Sequence, residues 1–152
     1  MDITVNGVES TMALGEKIGS LVNSGDIVCL TGDLGTGKTH FVKGFAKGLE
    51  IFENITSPTF TIVNEYDGRL KLNHFDVYRV DDPDEISAIG FDEYIFSSAV
   101  SIIEWANYIE ELIPAESLRI HIEKQPALGD DFRKIHIDYT GERYGYIKEI
   151  NI

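Results

Sequence analysis

Apolar and polar residues alternate from Asp2 to Asn6, which predicts a short strand with one buried face. Met12, Ala13, Ile18, Leu21 and Val22 then recur at helical spacing, with Ser10 or Thr11 as the cap and Gly25 as the stop. Asp26 to Thr31 is an apolar run between turn residues, the pattern of a strand covered on both faces. Phe41, Phe45 and Leu49 carry the period of a helix over 38–49 that ends near Gly48. Two β-rich runs, 59–66 and 70–79, flank Asp67-Gly68-Arg69, a hairpin signal. Short helices are expected at 84–89, capped by Asp82 or Asp84, and at 91–96 and 108–112, the last stopped by Pro114. Ala99 to Ile103 predicts a second buried strand, and alternation over 118–123 and 132–139 predicts antiparallel strands at the end. This order implies an α/β layered fold whose sheet is parallel where strand and helix alternate and antiparallel elsewhere.

No repeat, low-complexity tract or Pro/Gly/Ser linker interrupts the chain, and 152 residues suit one domain over 1–152. An apolar share of 43% argues against disorder. Cys29 is the single cysteine, so no internal disulfide forms and a reducing compartment is the simpler reading. The first residues lack a basic stretch followed by an apolar one, and no apolar run is long enough to span a membrane. A cytoplasmic location is therefore expected. The net charge of −13 disfavours direct binding to nucleic acid, which relies on Lys and Arg to neutralise phosphates. From Val80 to Leu118 there is no Lys or Arg but ten carboxylates. A solvated acidic surface is the plainer reading of that stretch, and a docking face for a basic partner protein the sharper one.

The chemistry centres on Gly32-Asp33-Leu34-Gly35-Thr36-Gly37-Lys38-Thr39, a full match to G-x-x-x-x-G-K-[ST]. Its glycines permit a backbone path that aims successive N–H groups inward at an anion. The helix that follows adds its positive end. Lys38 supplies a point charge for outer phosphates, and Thr39 a hydroxyl for Mg²⁺. The motif follows an apolar strand and opens a helix, the context that separates a working phosphate loop from a Gly-rich turn. A metal also needs a carboxylate at the end of a neighbouring strand. Glu104 after Val100-Ser101-Ile102-Ile103 is the first candidate, and Asp76 in His74-Phe75-Asp76-Val77-Tyr78-Arg79 the second. Ser57-Pro58-Thr59-Phe60 reads either as a turn into a strand or as a γ-phosphate sensor built on Thr59 or Thr61. His40, His121 and His136 have no metal-ligand spacing, and His74 draws interest only through its nearness to Asp76.

Taken together, the phosphate loop, Ser57-Pro58-Thr59-Phe60, His74 to Arg79, Ile103-Glu104-Trp105, and Thr11 with Leu14-Gly15 resemble the TsaE family over nearly the whole chain. These are bacterial P-loop ATPases that serve tRNA threonylcarbamoyladenosine synthesis. The resemblance implies a P-loop NTPase-like three-layer α/β fold with a mixed parallel/antiparallel central sheet. It implies binding of ATP or ADP with Mg²⁺, slow hydrolysis by the protein alone, and association with TsaD and TsaB, with tRNA reached only through that complex. By the same resemblance Leu34, Gly35, Thr36, Gly37, Lys38 and Thr39 hold the nucleotide's phosphates, and Thr11 and Arg133 lie near the nucleoside. Thr39 and Glu104 match the metal positions. Thr59 matches a switch-like threonine and Asp76 the acid of hydrolysis, with Lys38 completing the catalytic set. Two other classes compete: a P-loop kinase of a small metabolite, and a nucleotide-gated scaffold without turnover. A kinase needs several converging arginines and a lid. Arg69, Arg79, Arg119, Arg133 and Arg143 are the only arginines, and none lies in a lid-like insertion.

Overall fold

The computed structural model describes residues 1–58 and 61–150. Strand β1 (Asp2–Asn6) leads into helix α1 (Val8–Leu21), then β2 (Ile27–Thr31) and α2 (Lys38–Gly48). The hairpin of β3 (Val63–Tyr66) and β4 (Leu72–Asp76) follows, then α3 (Pro83–Ala88), α4 (Phe91–Ile95) and β5 (Val100–Glu104). A 3-10 stretch (Ala106–Leu112), β6 (Ser117–Lys124), β7 (Phe132–Thr140) and a second 3-10 stretch (Glu142–Glu149) complete the described elements.

Among the described residues, seven strands join one sheet in the order β1-β7-β6-β2-β5-β4-β3. The pairs β2–β5, β2–β6 and β4–β5 are parallel, while β1–β7, β6–β7 and β3–β4 are antiparallel. The mixed sheet expected from the sequence is thus present. Its two faces differ. Val28, Leu30, Leu72, Val100, Ile102, Leu118, Ile120, Ile122, Ile135 and Ile137 point to one side, where α1 and α2 pack. Ile27, Cys29, Phe75, Val77 and Ile103 point to the other, under α3, α4 and the first 3-10 stretch. Three layers therefore stand over the parallel half. Over β6, β7 and β1 the second face carries Arg119, His121, Lys134, His136 and Thr4 and is open to solvent, as the alternation of those strands requires.

Helix α1 departs from expectation in two respects. It begins at Val8 with Gly7 at its cap, and neither Ser10 nor Thr11 caps it. The Thr11 hydroxyl instead donates back to the Gly7 carbonyl at 3.4 Å. Its buried face is Thr11, Leu14, Gly15, Ile18 and Gly19, so Ala13 from the apolar stripe faces out. The reason is close approach to α2. A Cβ on Gly44 would stand 2.0 Å from the Met12 carbonyl oxygen, and one on Gly19 would stand 2.2 Å from that of Phe45. Hydropathy counts miss a seam built from glycines. Asp82 caps α3 as expected, its carboxylate accepting from the Asp84 N–H at 3.0 Å.

The C-terminal 3-10 stretch has no counterpart in the sequence reading. Tyr144 and Ile147 sink into the α1/α2 side of the core. Buried Asp26, at the foot of β2, accepts from Arg143 Nε at 2.9 Å, from the Tyr146 hydroxyl at 2.7 Å and from the Asn23 N–H at 2.8 Å. The end of the chain is thereby tied to the strand that leads into the phosphate loop.

Candidate functional site

The central strands β4, β5, β2 and β6 run parallel, so their C-terminal ends gather on one edge, where ligands of open α/β sheets bind. The loop of residues 32–37 rises from that edge between β2 and α2. Gly35 (φ 77°) and Gly37 (φ 103°) take left-handed backbone that a Cβ disfavours, and that path turns amides into the loop. The first N–H groups of α2 have no carbonyl a turn earlier to bond, so they remain available to an anion.

Lys38 is 6% exposed. Its ammonium donates to the carbonyls of Gly32 (2.6 Å) and Asp33 (2.8 Å) and lies over the Trp105 ring, 4.0 Å from the centroid. Burial lowers its pKa from the ordinary lysine value, and the charges of Glu104, Asp76 and Asp33 oppose that shift. Thr36 is buried, with its hydroxyl on the Asp33 carbonyl at 3.0 Å, so it shapes the loop from within. Leu34 is 62% exposed at the loop's tip.

Both candidate acids reach this loop. The register pairs Asp76 with Glu104 across β4 and β5, at the ends of the two strands. Glu104 is buried, and its Oε1 accepts from the Thr39 hydroxyl at 3.3 Å. A hydroxyl and a carboxylate are hard oxygen donors of the kind Mg²⁺ takes, so this pair fits the metal implied by the family. Asp76 is half-buried; its Oδ2 accepts from Ser57 at 3.2 Å and its Oδ1 from the Tyr78 N–H at 3.0 Å. Burial raises the Asp76 carboxyl above its usual pKa, the Tyr78 N–H lowers it, and the nearby charge of Glu104 adds to the rise. Leu34, Gly35, Gly37, Lys38, Thr39, Asp76 and Glu104 share the wall of one cavity of about 340 Å³. Such a cavity can hold a polyphosphate, with a cation at the Thr39–Glu104 pair and the Asp76 carboxylate beside it.

A second, smaller cavity of about 150 Å³ lies on the far side of the loop, lined by Thr11, Gly35, Thr36, Gly37, His40 and Arg133. Arg133 donates through Nε to the Thr36 carbonyl at 3.0 Å, so β7 braces the loop. Thr11 and Arg133 are thus brought together beside the phosphate loop. Thr59 lies outside the described residues. Thr61 donates to Asn64 Oδ1 at 2.9 Å within its own turn.

Four neighbours were given no role at the site by the sequence reading. Ser57 touches Asp76, Trp105 lies under Lys38, and the Lys124 ammonium stands 3.7 Å from where a Gly35 Cβ would be. The fourth is His74, fully buried, whose Nε2 meets Glu104 Oε2 at 2.6 Å. Ser57 and Trp105 lie in quoted motifs without a stated contact, and His74 carries a geometric signal: it is two residues from Asp76 on a strand, and so on the same face. Cys29 is buried, and desolvation pushes its thiol up to about 12, as expected of inert packing.

Known proteins share this architecture. A crystal structure of Bacillus subtilis YdiB superposes with a TM-score of 0.81 and 41% identity, covering 98% of this chain and 91% of that one. The Bacillus subtilis tRNA threonylcarbamoyladenosine biosynthesis protein TsaE is 46% identical over 147 residues, 96% of this chain and 89% of the relative. The Treponema pallidum protein of the same name is 40% identical over 129 residues, 85% of this chain and 93% of its own length. The family model described as threonylcarbamoyl adenosine biosynthesis protein TsaE matches residues 5–134. Similarity of this extent, in sequence and in fold, establishes that the chain belongs to the TsaE family.

Proposed function

We propose that this protein is the Mg²⁺-dependent ATP-binding and hydrolysing subunit of a tRNA threonylcarbamoyladenosine biosynthesis system, acting in the cytoplasm with TsaD and TsaB. The pathway follows from the relatives' names and the family. The chemistry is supported by one observation: Lys38, Thr39, Glu104 and Asp76 share the wall of a single cavity around the phosphate loop. With −13 net charge, the protein reaches tRNA only through its partners. Among the described residues no helix is long and apolar enough to cross a membrane.

In this reading the amides of 35–39 and the Lys38 ammonium bind the phosphates, with Lys38 leaving the carbonyls of Gly32 and Asp33 that hold it now. Thr39 and Glu104 hold Mg²⁺, which when bound supplies charge neutralisation on the outer phosphates. Thr11 and Arg133 border the nucleoside. Asp76, oriented by Ser57 and the Tyr78 N–H, takes the proton from the attacking water at a carboxylate oxygen. Thr59 senses the outer phosphate.

Steady-state ATP hydrolysis with and without TsaD and TsaB tests this on wild type and Asp76→Asn. Asp76→Asn is expected to keep nucleotide affinity and to lose about 10²–10⁴-fold in partner-stimulated kcat. Undiminished hydrolysis by that variant overturns the role of Asp76. A wild type that binds adenine nucleotides but never turns them over, with partners present, reduces the protein to a scaffold.

A further inference from the structure

His74 is an expensive residue where it sits. It occupies β4 between Asn73 and Phe75, and its side chain is fully buried. Its Nε2 lies 2.6 Å from Glu104 Oε2, while Nδ1 has no partner among the described residues. Burying polar groups this way is costly, and apolar side chains of similar volume at both positions commonly give a more stable core. Stability alone therefore does not explain the pair. Its geometry does: the Glu104 carboxylate is held at both oxygens, Oε1 by the Thr39 hydroxyl and Oε2 by His74. The main chain around it is fixed too, since the Glu104 carbonyl accepts from the Val77 N–H at 3.2 Å and the Trp105 N–H reaches the Leu30 carbonyl at 2.9 Å. A glutamate rotates about three side-chain bonds, and both of its oxygens are tethered here.

We propose that His74 is a positioning residue that orients the Glu104 carboxylate toward Thr39 for a divalent cation. The inference rests on the reading of Thr39 and Glu104 as the metal pair. Outer partners of metal-binding carboxylates commonly govern affinity in this way, without touching the ion.

The test is Mn²⁺ binding to the full chain with ADP, followed by the paramagnetic resonance of free Mn²⁺, beside ADP binding in EDTA. His74→Asn places its amide nitrogen where Nδ1 stands, out of reach of Glu104. His74→Gln extends it to the position of Nε2. His74→Asn is expected to weaken Mn²⁺ binding about 10–100-fold while leaving metal-free ADP binding unchanged, and His74→Gln to stay within a few-fold of wild type. A purely structural role would lower the melting temperature of both variants without separating their Mn²⁺ affinities. Equal Mn²⁺ binding by wild type and His74→Asn overturns the proposal, as does equal weakening in both variants. If Glu104→Gln binds Mn²⁺ as tightly as wild type, the metal pair itself is wrong, a failure distinct from that of His74.

Discussion

At Asp76 the needs of the fold and of the chemistry diverge. Its carboxyl pKa is raised, chiefly by burial, from the unfolded value of 3.8. A group that binds its proton more tightly in the folded state stabilises the fold only while protonated. The charge costs stability as the pH rises above 3.8, and the cost is complete above the raised pKa. Asp76→Asn should therefore melt above wild type at neutral pH, with the gap closing as the pH falls toward 3.8. Thermal melts of both proteins across that range check it, and an asparagine variant that melts lower at neutral pH refutes the stated sign. The same variant should be catalytically crippled, the usual exchange between stability and activity where a site keeps a partly buried charge. Glu104 was legible because it closes a buried β-run, whereas Asp76 lay inside the run expected over 70–79 and the structure ends β4 at it. Ser57 was not legible, since its contact with Asp76 spans 19 residues and follows from how the hairpin docks, which no local pattern encodes.

Among the elements, the seam between α1 and α2 carries the phosphate loop's supporting helix, and glycine makes it possible. Replacing Gly44 by alanine gains about 1 kcal/mol of helix propensity. Against that, the new methyl would lie 2.0 Å from the Met12 carbonyl oxygen, 2.7 Å from its carbon and 2.8 Å from its Cα. All three are backbone atoms, so a whole helix must move. Overpacking of this kind costs about 1–3 kcal/mol or more, and the net effect should be destabilising, lowering the melting temperature by several degrees. Gly145→Ala is the control, because nothing lies within 4 Å of a Cβ there. If Gly44→Ala melts like that control, the helices are not held by this contact. The apolar period located α2 and all seven strands to within a few residues. On α1 it found Ile18 and Val22 but turned Ala13 inward and passed over Gly15 and Gly19, because a glycine that allows close approach scores the same as one that ends a helix. The closing 3-10 stretch was invisible for a related reason: buried Tyr144 and half-buried Tyr146 are held by hydroxyl contacts, to the Ile27 N–H and the Asp26 carboxylate, that follow from the tertiary fold.

For the whole molecule, the open face of β6, β7 and β1 is where pH should act on the fold apart from the site. His136 on the middle strand contacts Asp2 Oδ1 at 2.7 Å through Nδ1 and Glu123 Oε1 at 2.9 Å through Nε2, so one ring clips three strands together. Hydrogen bonds that the ring donates to Glu123 and then to Asp2 raise the histidine's pKa above 6.5, and the same contacts lower the carboxyls of Asp2 below 3.8 and of Glu123 below 4.5. The raised histidine stabilises fully below 6.5 and loses that contribution as the pH climbs through its folded value. The carboxylates contribute above their unfolded values and lose their contribution as the pH falls through the lowered ones. The clip is thus strongest between about 4.5 and 6.5. Urea unfolding of wild type and His136→Gln should differ most in that window and converge at alkaline pH, with the difference shrinking at high salt because the groups are exposed. A difference that grows toward alkaline pH would reverse the sign. Hydrolysis should be indifferent to this variant, because the ring sits on the uncovered face of the sheet while the phosphate loop packs over the other through α2. That separation is a consequence of the mixed sheet: its parallel half is enclosed in three layers and ends at the loop, and its antiparallel half leaves a polar face where charge can tune stability without entering the chemistry.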